Sequence, residues 1–322
     1  MASLKQIAQE IGVSTATVSN ALSGKGRVSA GLAARIRDHA AALGYSPSTA
    51  ARALKTGQSG ILGLVMPDLT NPLFPRIAQS LSTAAEARGL GILIGDSRGN
   101  AGRQAEILAR LAGRGVDGIL VVPQRGSAPA EPGVPMVVIN TASDPRSTVS
   151  ADHAGGGRML GAHVAALGHR RVALLGGDAV SDVQQDRIRG MKRGLGPASE
   201  ARAVWGEAGL DALPGLVAGG VTAVMACSDL LALGAHSRLT RAGLSVPGDV
   251  SLTGFDDLPL ATAMHPALTT VAQDVQAIAD YALGILCRRI AGETDLPPPG
   301  HAVPMRLVLR DSAAVPFRGA AA

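Results

Sequence analysis

The feature that most constrains the fold of this chain is a repeated alternation of short apolar runs with longer amphipathic stretches. Runs this short predict buried parallel strands, and the stretches between them, such as 153–167, 228–242 and 274–291, predict helices. The runs form two sets: Ile61–Met66, Gly91–Ile94, Gly118–Val122 and Met136–Ile139, then Val172–Leu175, Ala223–Cys227, Ser251–Gly254 and Leu268–Val271. We therefore expect two doubly wound α/β lobes, with a ligand cleft between them at the carboxyl ends of the strands.

The first 45 residues have a different pattern, which is helical throughout. Leu4, Ile7, Ala8 and Ile11 have the spacing of one buried helix face, and Gly12 follows where the chain must turn. Ser14 stands at an N-cap position for a second helix, Thr15 to about Leu22. A third stretch, Leu32 to Leu43, turns Ile36, Ala40 and Leu43 inward. The pattern fits either a generic three-helix bundle or a helix-turn-helix whose second helix presents small polar side chains to DNA.

Charge is distributed unevenly along the chain. Of 30 basic and 25 acidic residues, seven basic and two acidic ones lie in positions 1–60, which leaves 23 of each sign in the remainder. The whole net charge of +5 therefore lies in the first sixty residues. A local excess of this kind attracts a polyanion such as DNA, and an anionic membrane surface is the alternative.

The sequence does not contain the motifs that are typical of several other function classes. The two cysteines, Cys227 and Cys287, have no paired spacing, and the seven histidines have no ligand spacing, so we expect no disulfide, no metal site and no cofactor. No apolar run approaches about 18 residues and no signal peptide is evident, which predicts a cytoplasmic protein without membrane contact. A nucleotide-dependent enzyme is disfavoured because no phosphate-binding glycine motif follows a strand.

Two segments carry a family resemblance. The run LKQIAQEIGVSTATVSNALSGKGRVS, followed by ALGYSPSTAARALKTGQSG, resembles the DNA-binding head of the lac repressor family. The resemblance implies that Thr15, Ala16 and Asn20 read bases, and that Ser14, Thr17, Ser19 and Tyr45 contact or orient the phosphate backbone. Family members commonly have a basic residue where Asn20 stands, and an amide at this position is suited to pairing with adenine.

Residues 46–60 read as a short helix that is too short to be stable alone in water. In the family this segment is a hinge helix that enters the minor groove. The resemblance implies that Leu54 inserts as an apolar wedge between base steps and that Arg52 and Lys55 lie against phosphates. Without the family, the segment reads as an ordinary linker with Leu54 packed on the next domain.

The resemblance continues through the larger part of the chain, in LGLVMPDLTNPLF, VSADHAGGGRMLGAHVAALGHRRVALLGG, AVMACSDLLALGA and GLSVPGDVSLTGFDDLPLA. It implies a two-lobed periplasmic-binding-protein-like domain whose chain crosses between the lobes three times. The expected division is a helix-turn-helix domain at 1–45, a hinge at 46–60, an effector-binding and dimerisation domain at 61–312 and a tail at 313–322. Lobe one takes about 61–150 and 272–292, and lobe two takes about 151–271 and 293–312.

Candidate effector-binding residues follow from the same motifs. They share a position at a strand end or a helix start, and they are Asp68, Asn71, Phe74, Asn140, Ser181, Arg187, Ser228 and Asp256. Polar side chains with one aromatic ring suit a polyhydroxylated or otherwise polar solute. Two positions depart from the family: His153 stands where Asn is usual, and Ser228 stands where an effector-binding Asn is frequent.

The sequence thus predicts a transcriptional regulator, a repressor and not an enzyme, that binds a palindromic operator in double-stranded DNA as a homodimer or tetramer. A small-molecule effector, a carbohydrate or alternatively a purine or nucleoside, controls it allosterically. The competing interpretation is a periplasmic solute receptor. Such a receptor has the same two lobes, but residues 1–60 would have no function in it.

Overall fold

The computed structural model describes residues 3–23, 28–45 and 57–316. The described residues divide into two compact units, one ending at Ser59 and the other beginning at Gly60. Most of the predicted hinge helix, including Arg52, Leu54 and Lys55, lies outside the described residues, and so do residues 317–322.

The described residues of the N-terminal unit form three helices, α1 (Leu4–Ile11), α2 (Thr15–Ser23) and α3 (Ala30–Ala42). Hydroxyl caps and one glycine set the bounds of α1 and α3. The Ser3 side chain accepts from the Gln6 amide at 3.2 Å, and Gly12 ends α1 with φ +76°. Because the Ser29 side chain caps α3, this helix starts two residues before the predicted Leu32.

The core of the N-terminal unit is small and apolar. Ile7, Val18 and Ile36, one from each helix, are fully buried together. His39 of α3 lies 2.6 Å from Glu10 of α1, and hydrogen bonds from Gln6 and His39 lower the pKa of the Glu10 carboxyl. The predicted inward residues of the first and third helices are therefore confirmed, and Val18 anchors α2 in the same core.

The first lobe of the larger unit is a four-stranded parallel sheet with strand order β2-β1-β3-β4. Its elements are β1 (Ile61–Met66), α4 (Leu73–Glu86), β2 (Gly91–Asp96), α5 (Ala101–Gly113), β3 (Gly118–Val121) and β4 (Met136–Val138). The strand order reverses between β1 and β3, so that their carboxyl ends open a crevice at the edge of this sheet.

A short strand, β5 (Val149–Ala151), leads to the second lobe, which repeats the topology of the first. Its sheet has the order β7-β6-β8-β9, again parallel throughout. The elements are α6 (His153–Ala166), β6 (Arg171–Gly176), α7 (Asp182–Leu195), β7 (Glu200–Trp205), α8 (Gly206–Ala218), β8 (Ala223–Ala226), α9 (Asp229–Arg241) and β9 (Ser251–Thr253).

The remaining elements are α10 (Pro259–Ala263), β10 (Thr270–Ala272), α11 (Val275–Ile290), β11 (His301–Val303) and β12 (Arg306–Val308). Helix α11 packs against α4 and buries Ile278 and Leu283 in the core of the first lobe. Strand β11 pairs with β5, whereas Leu307 of β12 packs on the core of the second lobe. The chain thus returns to the first lobe through α11 and to the second lobe through β12.

All eight predicted strands exist, but two of them differ from the expectation of buried parallel strands. The run predicted at Leu268–Val271 forms β10, which pairs antiparallel with β12 outside both large sheets. Strand β2 lies at the edge of its sheet, where Leu93 and Ile94 are exposed. Both runs are apolar enough for the interior of a sheet. A hydrophobic pattern shows which side chains are apolar, but it does not show which strand will be the partner.

Four strands escaped prediction, namely β5, β7, β11 and β12. Three of them have only three residues, and β7 contains charged residues at Glu200 and Arg202 on the edge of its sheet. Edge strands and very short strands lack the continuous apolar run that marks a buried strand. At the C-terminal end, Ala314, in the predicted tail, is hydrogen-bonded to Ser251 and His169.

Candidate functional site

The first candidate surface is the exposed side of α2. Thr15, Ala16 and Asn20 are exposed, and Thr17 and Ser19 are half-buried. Spacings of one, four and five residues place Thr15, Ala16, Ser19 and Asn20 on one side of the helix. The structure therefore groups the predicted base-reading side chains on one face of a helix whose opposite face is anchored by buried Val18.

The start of α2 is fixed by a local hydrogen-bond pair. The Ser14 hydroxyl oxygen accepts from the Thr17 amide at 3.1 Å and lies 2.8 Å from the Thr17 hydroxyl. These two residues, predicted to contact or orient phosphate, thus also cap the helix. Tyr45, assigned to the same task, packs against the apolar core of the N-terminal unit and its amide donates to the Ala40 carbonyl.

The second candidate site is a cavity of about 210 Å³ in the larger unit, between the two lobes. It lies where several strands of both sheets end, as the doubly wound topology requires. All eight residues predicted for the effector site line it: Asp68, Asn71, Phe74, Asn140, Ser181, Arg187, Ser228 and Asp256. Residues that are up to 188 positions apart in the sequence thus meet in one cavity.

Arg187 and Asp256 form the buried floor of this cavity. Their side chains are both 4% exposed, and Nη2 of Arg187 lies 2.8 Å from Oδ1 of Asp256. Nη1 donates to the Cys227 carbonyl at 2.6 Å, and the guanidinium carbon lies 4.1 Å from the centre of the Phe255 ring. The guanidinium is therefore held in one orientation by a charge, a carbonyl and an aromatic face.

Burial and charge act in opposite directions on the acids at the floor. Burial raises the pKa of Asp256, whereas the neighbouring Arg187 and Gln273 lower it. For Asp229, burial and the nearby Asp256 charge raise the pKa to about 7, although Thr270 and Leu258 hydrogen-bond to its carboxyl. Asp229 is thus a fully buried acid in the first turn of α9.

The remaining predicted residues are tied to their own loops and helices. Ser181 and Ser228 are the N-caps of α7 and α9. The Asn140 amide donates to Asp144 at 2.9 Å, and the Asn71 side-chain oxygen accepts from the Leu73 amide at 3.1 Å. Hydrogen bonds from Thr70 to Asp68 lower the pKa of its carboxyl. Each side chain is therefore held in place while it faces the cavity.

Several polar residues of the cavity lining were not predicted, and Gln124, His153 and Gln273 are among them. Gln273 follows β10 directly and donates to Asp256 at 2.6 Å, and Gln124 follows β3 by three residues. His153, noticed only as a departure from the family, lies in the first turn of α6 beside Arg187. A search for polar residues just after every strand would have found Gln273 and Gln124.

The described part of the chain has neither a metal-binding cluster nor a membrane-spanning helix. No group of three or more His, Cys, Asp or Glu side chains lies close enough together there to hold a metal ion. Among the helices of residues 3–23, 28–45 and 57–316, none has both the length and the hydropathy needed to span a bilayer.

Comparison with known proteins identifies both units. Residues 3–48 match the family model for bacterial regulatory proteins of the lacI family, and residues 162–313 match that of a periplasmic binding protein-like domain. A transcriptional regulator with a helix-turn-helix, from the aml 5' region of Streptomyces limosus, is 33% identical over 90% of this chain and 89% of its own length. The ribose operon repressor of Haemophilus influenzae is 30% identical over 90% and 92%.

Solved structures agree with these relatives. The structure of the transcriptional regulator CelR in complex with cellobiose superposes with a TM-score of 0.71 at 26% identity, over 97% of this chain and 100% of that one. The predicted fold class, a helix-turn-helix followed by a two-lobed α/β domain, is confirmed. Because the relatives are transcriptional regulators, the expectation that the chain is not an enzyme is confirmed as well. The chain belongs to the lacI family of bacterial regulatory proteins.

Proposed function

We propose that the chain represses transcription by binding a palindromic operator as a homodimer, and that a small polar effector in the interlobe cavity controls this binding. The observation that carries the proposal is the meeting of eight dispersed polar and aromatic residues in one cavity, within a chain whose α2 exposes Thr15, Ala16 and Asn20. A receptor cavity and a DNA-reading helix in one chain make an allosteric regulator the simplest function.

Charge supports the DNA half of the proposal. The net charge of +5 falls within residues 1–60, and the remainder of the chain is neutral. Binding of a basic domain to DNA releases counterions, so that affinity must fall as the salt concentration rises. The helix-turn-helix contributes Ser14, Thr15, Ala16, Thr17, Ser19, Asn20 and Tyr45 to this contact, and the hinge contributes Arg52, Leu54 and Lys55. DNA in the cytoplasm is the proposed site of action.

The DNA half is tested by selecting operator sites from random duplexes and measuring affinity by fluorescence anisotropy. We expect an enriched site with two symmetric halves, bound at least about 10³-fold more tightly than a scrambled duplex of equal composition. Equal affinity for both duplexes, or an affinity that is independent of salt, would contradict sequence-specific binding.

Exposed apolar side chains support the homodimer. Leu230 and Leu233 lie on one side of α9 and are 45% and 41% exposed, and Ile94 on the edge strand β2 is 51% exposed. Side chains three residues apart on a helix are neighbours, so α9 presents an apolar strip. A second copy of the chain is the proposed occupant, because a helix-turn-helix reads a palindrome as a two-fold dimer.

The dimer is tested with Leu233→Glu, which places a charge in the strip. We expect sedimentation at micromolar concentration to show monomers, with operator affinity at least tenfold weaker than that of the wild type. The matched control is Leu309→Glu, since Leu309 is 60% exposed and belongs to neither α9 nor β2. A dimeric Leu233→Glu variant would place the interface elsewhere.

The chemistry of the cavity supports a sugar-like effector. Amide, hydroxyl and carboxylate groups line it beside the half-buried Phe74, a mixture that suits a solute with several hydroxyls and one apolar face. A related regulator was solved with cellobiose. A purine or nucleoside is the second candidate, because Phe74 also suits the face of a planar base.

The effector half is tested by a thermal-shift screen with ribose, cellobiose, guanine and inosine. A ligand at a hundred times its dissociation constant stabilises the folded state by about 2.7 kcal/mol, which raises the melting temperature measurably. A compound that does so must also change operator affinity. Binding without any effect on operator affinity would reduce the cavity to a site without regulatory function.

A further inference from the structure

His153 lies between two groups of the effector cavity, and neither the family resemblance nor the predicted site gave it a role. Its ring is 5% exposed and lines the cavity. Nδ1 lies 3.3 Å from Nε of Arg187, and the ring also hydrogen-bonds to the backbone carbonyl of Asn140. Arg187 belongs to α7 of the second lobe, whereas Asn140 follows β4 of the first lobe. The imidazole thus connects the buried arginine to the opposite wall.

The two contacts determine the protonation state of the ring. A guanidinium nitrogen only donates hydrogen bonds, so Nδ1 of His153 must accept. A carbonyl oxygen only accepts, so Nε2 must carry the proton and donate to Asn140. A neutral imidazole with its proton on Nε2 meets both demands at once.

We propose that His153 is a positioning residue of the effector cavity, whose neutral Nε2–H tautomer fixes the guanidinium of Arg187 for the effector. The inference rests on the proposed function, since Arg187 matters here as an effector contact. All three nitrogens of Arg187 then have a protein partner: Nε has His153, Nη1 has the Cys227 carbonyl and Nη2 has Asp256. Removing the acceptor at Nε leaves one buried N–H without a partner and leaves the guanidinium with one contact fewer to hold its position.

The surroundings of the ring keep it neutral. Burial and the adjacent Arg187 charge hold the pKa of His153 well below its ordinary value of 6.5. The carboxylate of Asp256 contacts Arg187 and not the ring, and the Phe255 ring is 6.5 Å away. On the remaining sides, Asp152 caps α6, Asp144 bonds to the Asn140 amide, and Asp186 bonds to Thr141 and Arg189. These acids are therefore engaged elsewhere.

Two amide variants separate the contacts of the ring. The side-chain oxygen of asparagine lies as many bonds from Cβ as Nδ1 of histidine, whereas the end of glutamine corresponds to Nε2. His153→Asn therefore retains an acceptor for Nε of Arg187, while His153→Gln retains a partner for Asn140 only. Neither amide titrates, and both are polar. A comparison of the two variants therefore distinguishes positioning of Arg187 from simple filling of the space that the His153 ring occupies.

The test has two arms. Nitrogen-15 NMR of the free protein with labelled histidines should show that the His153 ring has an unprotonated Nδ1 and a protonated Nε2. This state should not change between pH 7.5 and pH 5.5. Calorimetric titration with ribose, cellobiose, guanine and inosine should then give His153→Asn a dissociation constant within about threefold of the wild-type value. His153→Gln should bind these compounds at least tenfold more weakly than the wild type.

Each outcome decides between the alternatives. A ring with its proton on Nδ1, or a ring already protonated at pH 7.5, overturns the inference without touching the proposed function. Equal binding by both amide variants also overturns it, because the acceptor at Nδ1 would then be dispensable. If none of the four probes binds even the wild-type chain, the effector class of the proposed function fails, and this inference fails with it.

Discussion

At the scale of single residues, the pairing of Arg187 with Asp256 dominates the cavity. Taking two charges out of water is costly, and only close opposite charge with full hydrogen bonding offsets that cost. Here the 2.8 Å contact between the pair is supplemented by the Cys227 carbonyl for Arg187 and the Gln273 amide for Asp256. Removal of either member leaves the other as an unpaired buried charge.

We predict that Arg187→Met lowers the free energy of unfolding by about 3–5 kcal/mol, because the Asp256 carboxylate loses its buried partner. Urea denaturation measures this loss, and the double variant with Asp256→Asn should recover part of it. Arg171→Met is the control, since its pair with Glu200 is exposed and contributes about 0–1 kcal/mol. The effector response should disappear in Arg187→Met and operator binding should persist, whereas loss of both would indicate a purely structural role.

Asp229 makes the free energy of unfolding depend on pH, and in the opposite direction from an ordinary surface acid. Its folded pKa of about 7 lies above the ordinary value of 3.8, so the folded state retains a proton that the unfolded state releases. The stability that this group contributes is complete below pH 3.8 and is lost as the pH rises towards 7.

We predict that Asp229→Asn becomes more stable relative to the wild type as the pH rises, by about 1.4 kcal/mol per pH unit between pH 5 and pH 7. An amide resembles the protonated carboxyl, with its oxygen available to the Leu258 amide and its NH₂ to the Thr270 hydroxyl. Urea unfolding of both proteins at pH 5, 6, 7 and 8 checks the prediction. Parallel profiles would show that Asp229 is ionised throughout.

The residues of the cavity differ in how far sequence could identify them. Ser181, Ser228 and Asn140 mark strand ends or helix starts, so topology alone directs them to the cavity. Arg187 lies inside α7 and His153 begins α6, and the packing of these two helices brings them together. The family resemblance identified Arg187 but not His153 as its partner, because a contact between two helices leaves no spacing pattern in the sequence.

At the scale of elements, the contact between α6 and α7 explains how these two residues meet. A side chain at Gly157 of α6 would place its Cβ 2.3 Å from the Arg187 carbonyl oxygen, and one at Gly190 of α7 would place it 2.1 Å from that of Ala154. The two backbones thus touch directly. Gly157 lies within the N-terminal half of α6 and permits this close helix packing.

We predict that Gly190→Ala lowers the free energy of unfolding by about 1–3 kcal/mol, because the two helices must separate to admit a methyl group. The matched control is Gly284→Ala in α11, which is also inside a helix but meets nothing within 4 Å of the added Cβ. That change should stabilise the protein by about 0.5–1 kcal/mol through helix propensity. Thermal unfolding of the two variants gives the comparison, and shifts of the same sign would contradict the helix contact.

Among the elements, prediction succeeded where a strand has a continuous apolar run of several residues and failed where it has none. The central strands β1, β3, β6 and β8 are buried along nearly their whole length and were found within one or two residues. Strand β7 alternates exposed and half-buried residues, so it has no such run. The antiparallel pairing of β10 with β12 depends on where the chain returns after α11, which no local pattern contains.

At the scale of the whole molecule, the separation of charge from the receptor domain has a thermodynamic consequence. All the net positive charge lies in residues 1–60 and the effector cavity lies beyond residue 60, so salt and effector act on different parts of the chain. Salt should reduce operator affinity through released counterions, and an effector should do so through the population of the DNA-binding state. The two effects on the logarithm of affinity should therefore be additive.

The hinge tests the role of charge most directly, because two adjacent residues there are expected to bind DNA through an apolar contact and through an ionic contact. Leu54→Ala should weaken operator binding while leaving the slope of log affinity against log salt unchanged, since an apolar wedge carries no charge. Lys55→Ala should reduce that slope by about 0.9 for each lost phosphate contact, and hence by about 1.8 for a dimer. Anisotropy titrations at several salt concentrations measure both quantities. An unaltered affinity of Leu54→Ala would contradict the wedge, and an unaltered slope of Lys55→Ala would contradict the phosphate contact.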